Sequence, residues 1–135
     1  MNEKKTPVLK AAVPVLSVED VRQALDYYKH VLGFQVVWIW GEPPHLASVC
    51  RDKVELNLGQ KGKAGPLGAS RVYFQMEGVN AYCKQVRTAG ARIMTLLDDR
   101  PYGMRDFNIQ DPSGNDLGFG EPTVSHGMSP NNEFE

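Results

Sequence analysis

Hydrophobic and polar positions along the chain follow two periods, and the order in which those periods occur is written twice. Residues 11–18, AAVPVLSV, are apolar and rich in β-branched side chains, which reads as a strand. Asp20 then stands where a helix N-cap is wanted, with Gln23 three positions on to complete a capping box. Val21, Ala24, Leu25, Tyr28, Val31 and Leu32 recur at spacings of three and four, which predicts a helix with one apolar face. Gly33 stops it, as a glycine just past a helix end does. Residues 34–40, 45–50 and 53–58 supply three more strands, separated by Gly41-Glu42-Pro43-Pro44 and by Arg51-Asp52.

A linker of Gly, Lys and Pro over residues 59–69 follows, and the order starts again. Residues 71–76 read as a strand, and Val79, Tyr82, Cys83, Val86 and Ala89 as a second apolar helix face closed by Gly90. Residues 91–97 are a strand, and 105–110 and 116–120 a hairpin around Asp111-Pro112-Ser113-Gly114-Asn115, all turn-forming residues. Such self-similarity is the strongest clue to architecture. The expected fold is α+β: a first βαβββ module over 7–58, the linker 59–69, a second module over 70–122, and a loose tail over 123–135. A plain α+β domain with chance internal similarity is the competing reading.

Composition narrows the function. The 135 residues are 41% apolar and 23% charged, as in ordinary globular proteins. Fifteen basic residues nearly balance sixteen acidic ones, and the closest approach to a basic cluster is Lys61 and Lys63 in a Gly-rich stretch, so no nucleic-acid partner is expected. No apolar run approaches the ~18 residues of a membrane span, and residues 1–5 are polar with no signal-peptide core behind them. No membrane partner is expected. Cys50 and Cys83 are lone cysteines, which suits a reducing cytoplasm.

Ala12-Val13-Pro14-Val15-Leu16, the cap Asp20, the pair Tyr27-Tyr28 and Leu32-Gly33-Phe34 resemble the opening of the glyoxalase/bleomycin-resistance proteins, also called vicinal oxygen chelate proteins. Pro101-Tyr102-Gly103-Met104-Arg105-Asp106-Phe107, followed by the Asp111–Asn115 turn, is similar to their closing hairpin. The resemblance runs over residues 10–121. It implies paired modules forming an open, cupped eight-stranded sheet, a homodimer, and a binding site in the cup or in a dimer-interface cleft.

The resemblance also implies where metal ligands would stand in metal-dependent members: at Val13, Glu55, Arg71 and Gly118. Only Glu55 could bind a metal. His30 lies on the first helix opposite its apolar face, His45 follows two prolines, and His126 is in the tail. A lone carboxylate does not hold a divalent ion against water, so neither metal nor cofactor is expected. Arg71, standing at a ligand position, is expected to pair with Glu55 as a fixed cation; the alternative is that one or both side chains reach solvent at a strand end.

No Ser/His/Asp or Cys/His arrangement, Gly-rich phosphate loop or paired acids on neighbouring strands is present, so no catalytic residue is assigned. Bleomycin-resistance proteins, which the chain resembles, act by sequestering a drug. The candidate ligand-binding residues are Trp38, Trp40, Glu55, Arg71, Tyr73, Tyr102 and Arg105. Trp38 and Trp40 share one side of a strand, and aromatic walls add about 0.5–1.5 kcal/mol per well-placed pair. The same tryptophans also suit packing under a helix or in a dimer seam, and Arg105 and Asp106 also suit anchoring a loop. Near-neutral charge, with Arg71 and Arg105 in the cup, favours a neutral or carboxylate-bearing planar aromatic ligand over a polycation. A metal-dependent glyoxalase, dioxygenase or thiol transferase with unusual ligands is the alternative. A purely structural or regulatory protein is the third reading.

Overall fold

A computed structural model describes residues 5–123. Its elements run β1 (Val15–Val18), α1 (Val21–His30), β2 (Gln35–Trp40), β3 (Leu46–Arg51), β4 (Val54–Gln60), β5 (Arg71–Gln75), α2 (Val79–Thr88), β6 (Arg92–Asp99), β7 (Met104–Gln110) and β8 (Asp116–Pro122). The βαβββ order therefore occurs twice. β1 is shorter than its apolar run, and β4 extends to Gln60, into the expected linker. Residues 124–135 of the expected tail, His126 among them, lie outside the described residues. Thr123, from the same expected tail, donates its backbone N–H to the Gly103 carbonyl at 3.0 Å.

Both helices start on devices that reach across the chain. Asp20 Oδ1 accepts the backbone N–H groups of Arg22 and Gln23 at 2.9 and 3.2 Å, as a helix cap should. The next free N–H, that of Val21, is taken by Gln60 Oε1 at the end of β4, 3.1 Å away. The second unit repeats this: Glu121 Oε1, near the end of β8, accepts the Val79 N–H at 3.0 Å. There the cap residue is Gly78, which has no side chain to offer. A carboxylate at that end also suits the helix dipole. Gly33 (φ +78°) and Gly90 (φ +106°) carry the chain out of the two helices through a backbone region that disfavours other residues.

The eight strands form two open four-stranded ladders, ordered β1-β4-β3-β2 and β5-β8-β7-β6. β1–β4 and β5–β8 are parallel and the remaining pairs antiparallel. Side-chain alternation then divides each sheet. Leu16, Val18, Ala47, Val49, Leu56 and Leu58 turn to the helix side under α1, and Phe74, Phe107, Ile109, Leu117 and Phe119 do so under α2.

These two sets belong to one core. Phe34 meets Phe74 edge-on at 6.3 Å. The Tyr82 hydroxyl donates to the Leu32 carbonyl at 2.6 Å, and the Tyr28 hydroxyl to Asp111 Oδ2 at 2.7 Å. Asn115 Nδ2 donates to the Ser17 carbonyl at 3.0 Å. These contacts join the helix-bearing sides of the two units, so the opposite strand faces point away from the shared core. Among the described residues no helix is long and apolar enough to cross a membrane.

Candidate functional site

Strand pairing decides which side chains share the open faces. In the second unit Arg71 lies opposite Asp116, and Tyr73 opposite Gly118, on the parallel β5–β8 ladder. On β7, Asp106 and Asn108 face the same way, opposite Gly120 and Gly118. Together with Arg100 and Tyr102 from the β6–β7 connection, these residues line a cavity of about 480 Å³.

The floor of that cavity is built around one carboxylate. Asp106 Oδ2 accepts the Tyr102 hydroxyl at 2.6 Å and the Tyr73 hydroxyl at 2.9 Å. Arg100 Nε donates to Oδ1 at 2.8 Å, and the same guanidinium reaches the carbonyls of Asp106 and Leu96. Asp106 is buried. Burial alone would raise its carboxyl, but the bonds from Tyr102, Arg100 and Tyr73 outweigh burial and hold it below the usual carboxylate range. The same contacts act in reverse on the donors. Burial first, then the bond to Asp106, pushes the Tyr73 phenol far up, and the bond to Asp106 raises Tyr102 and Arg100. An ionised carboxylate already accepting three donors, beside phenols that resist ionisation, is a weak proton acceptor near neutral pH. The network is a hydrogen-bonded floor.

A second pair of bonds completes it. Asp116 accepts Arg71 Nε on Oδ2 at 3.1 Å and Asn108 Nδ2 on Oδ1 at 2.6 Å. Two arginines and two aspartates thus leave the cavity electrically balanced.

Of the seven candidates, Arg71, Tyr73 and Tyr102 meet in this cavity. Arg105 does not join them. It shares the parity of Phe107 and Ile109, so it turns to the helix side, where Nε donates to Asn80 Oδ1 on α2 at 2.8 Å and the guanidinium pairs with Asp99 at 3.2 Å. The expected Arg71–Glu55 pair is not formed either. Glu55 lies on the other sheet and accepts the Ser48 hydroxyl at 2.6 Å, while β5–β8 pairing places Asp116 beside Arg71.

Trp38 and Trp40 stand opposite Ser48 and Leu46 on the open face of the first unit, 39% and 62% exposed. They do not pack under α1; Trp40 meets the His45 ring edge-on at 4.6 Å. Arg100, Asp106, Asn108 and Asp116 were missed by the sequence reading. For Asp106 and Asn108 the signal was present: alternation against Phe107 and Ile109 puts them on the open face.

The positions at which the resemblance would place metal ligands do not fit a divalent ion. Val13 and Gly118 carry no donor atom, Arg71 is a cation, and Glu55 stands alone. Among the described residues no group of three or more His, Cys, Asp or Glu side chains is placed to hold a metal.

The glyoxalase/bleomycin resistance protein/dioxygenase superfamily matches residues 10–119. The fold is similar to that of TioX from Micromonospora sp. ML1, with a TM-score of 0.75 at 20% identity over 84% of this chain and 100% of that one. It is also similar to the bleomycin-binding protein of Streptomyces verticillus, solved with copper(II)-bleomycin: TM-score 0.70, 21% identity, 84% of this chain and 97% of that one. TnmS3, an antibiotic binding protein from Streptomyces sp. CB03234, gives 0.67 at 22% identity over 87% of this chain and 100% of that one. No curated protein matches the sequence. With two βαβββ units in tandem and the family's match running from before β1 into β8, the chain belongs to the glyoxalase/bleomycin resistance protein/dioxygenase superfamily.

Proposed function

We propose that this chain is a small-molecule binding protein that works without a metal, taking a planar aromatic compound on its open strand faces as a homodimer in the cytoplasm. Sequestration of an antibiotic is the biological role this suits. The observation that carries the reading is the cavity floor. Tyr73 and Tyr102 present ring surface there, while every charged group nearby is already paired, Asp106 with Arg100 and Asp116 with Arg71. Such a surface offers stacking area and shape, and no spare acid, base or nucleophile. The exposed Trp38 and Trp40 add a second aromatic wall, and a second copy could cover Val37 and Ile39 of edge strand β2 while leaving that wall open.

Support by analogy comes from the bleomycin-binding protein and TnmS3, whose names describe antibiotic binding. The chain's two tryptophans are Trp38 and Trp40, so tryptophan emission reports on that wall. Titration with quinoline, acridine and anthraquinone derivatives should change the emission saturably, and Tyr73→Ala, which keeps both tryptophans, should weaken the apparent affinity at least tenfold. Sedimentation should give twice the chain mass. No saturable response to any planar compound would refute the binding reading.

A further inference from the structure

The open face of the first unit differs in chemistry from the balanced floor of the second. Pairing lines up one cross-strand row, Val15–Asn57–Ser48–Trp38, with Glu55 one step along β4 from Asn57 on the same face. Among the paired residues of β1–β4 on this face, Glu55 is the one charged side chain. Its Oε2 accepts the Ser48 hydroxyl, a neutral donor that leaves the charge uncompensated. Beside it, Asn57 Oδ1 is buried with no hydrogen-bond donor among the described residues. A buried acceptor left unmatched costs about 1–3 kcal/mol. Rotation of the amide about its broad terminal torsion can turn that oxygen to the open face.

Trp38 and Asn57 are two strands apart, about 10 Å at the usual strand spacing. A molecule stacked on the indole can therefore reach the acceptors with one edge. An indole face also attracts cations. Negative charge, an unmatched acceptor and an exposed indole all ask for the same complement.

We infer that the ligand is a planar aromatic amine or amidine, cationic at neutral pH, whose ring stacks on Trp38 and whose N–H groups are received by Glu55 and Asn57. This rests on the binding reading above and names the class of compound. It replaces the neutral or carboxylate-bearing ligand expected when Arg71 and Arg105 were both placed in the cup: Arg105 faces α2, and Arg71 is paired to Asp116.

Calorimetric titration with 9-aminoacridine, acridine and acridine-9-carboxylate tests it, since the ring is constant and the substituent carries positive charge, none or negative charge. The aminoacridine should bind at least tenfold more tightly than acridine, and the carboxylate more weakly than both. Glu55→Gln, which keeps an acceptor for Ser48, should bring the aminoacridine-to-acridine ratio within about twofold. Asn57→Leu should lower that ratio at least threefold, with a melting temperature equal to or above that of the parent because the unmatched acceptor is gone. Equal affinity for all three compounds, or a preference that survives both substitutions, would overturn the inference while leaving the binding reading standing. Failure of all three to bind would overturn the binding reading and this one with it.

Discussion

The Tyr73 ring lies flat against β8, and its hydroxyl occupies the space where a side chain on Gly120 would begin. A Cβ on neighbouring Gly118 would stand 2.8 Å from the ring's Cδ1, closer than real Cβ contacts come. Missing side chains on β8 thus make the seat from which Tyr73 reaches Asp106. Gly118 is also the position at which the family resemblance would place a metal ligand, so ring and ligand exclude one another.

Gly120→Ala should therefore cost about 1–3 kcal/mol, the usual penalty for overpacking, read as a fall in melting temperature. The effect should shrink in a Tyr73→Ala background, where Asp106 Cβ, 3.0 Å away, is the remaining neighbour. Additive losses in the double variant would mean the glycine is needed for some other reason.

The Asp106 network predicts an acid-sensitive share of stability. Its carboxyl is held below the ordinary value in the folded state by Tyr102, Arg100 and Tyr73, acting against burial. A depressed folded value contributes stability that is present above the unfolded value, about 3.9, and is lost as pH falls through the folded one. Asp106→Asn should be less stable than the parent at pH 6, with the gap closing below about pH 4. Thermal melts between pH 6 and pH 3 measure this, and a gap constant with pH would count against the network.

All five tyrosines resist ionisation. Burial pushes Tyr27 and Tyr82 up to about 12 and raises Tyr28 and Tyr73 as well, while the bond to Asp106 raises Tyr102. Ultraviolet titration of the native protein should show little tyrosinate at pH 10, where an unfolded chain is about half ionised. Because the folded values are raised, their contribution is complete below about pH 10 and is lost as pH climbs through them. Base-induced unfolding and tyrosinate absorbance should rise together. Gradual ionisation centred near pH 10 in a still-folded chain would contradict the packing.

Much of this was legible in the chain, because period and punctuation are local. Val21, Ala24, Leu25 and Tyr28 announced α1, and Asp111-Pro112-Ser113-Gly114-Asn115 announced the final turn. Arg105 was misplaced although its parity with Phe107 was readable: that parity turns it to Asn80 on α2. Asp116 as the partner of Arg71 was not readable, since it depends on the parallel register of two strands far apart in sequence. Nor does a local pattern say that eight strands split into two ladders joined through Phe34 and Phe74.

The metal question separates a binder from an enzyme, and linkage gives it a sharp readout. A ligand at a thousand times its dissociation constant stabilises the folded state by about 4 kcal/mol, several degrees of melting temperature for a chain of this size. Millimolar Ni, Zn, Mn or Fe(II) added to untagged, chelator-treated protein should leave the melting temperature within about 1 °C, because Val13, Arg71 and Gly118 bring no ligand to join Glu55. Glu55→Ala should respond no differently. A stabilisation of several degrees that Glu55→Ala abolishes would establish a metal centre at that carboxylate, and the metal-dependent enzyme reading would then displace the binder.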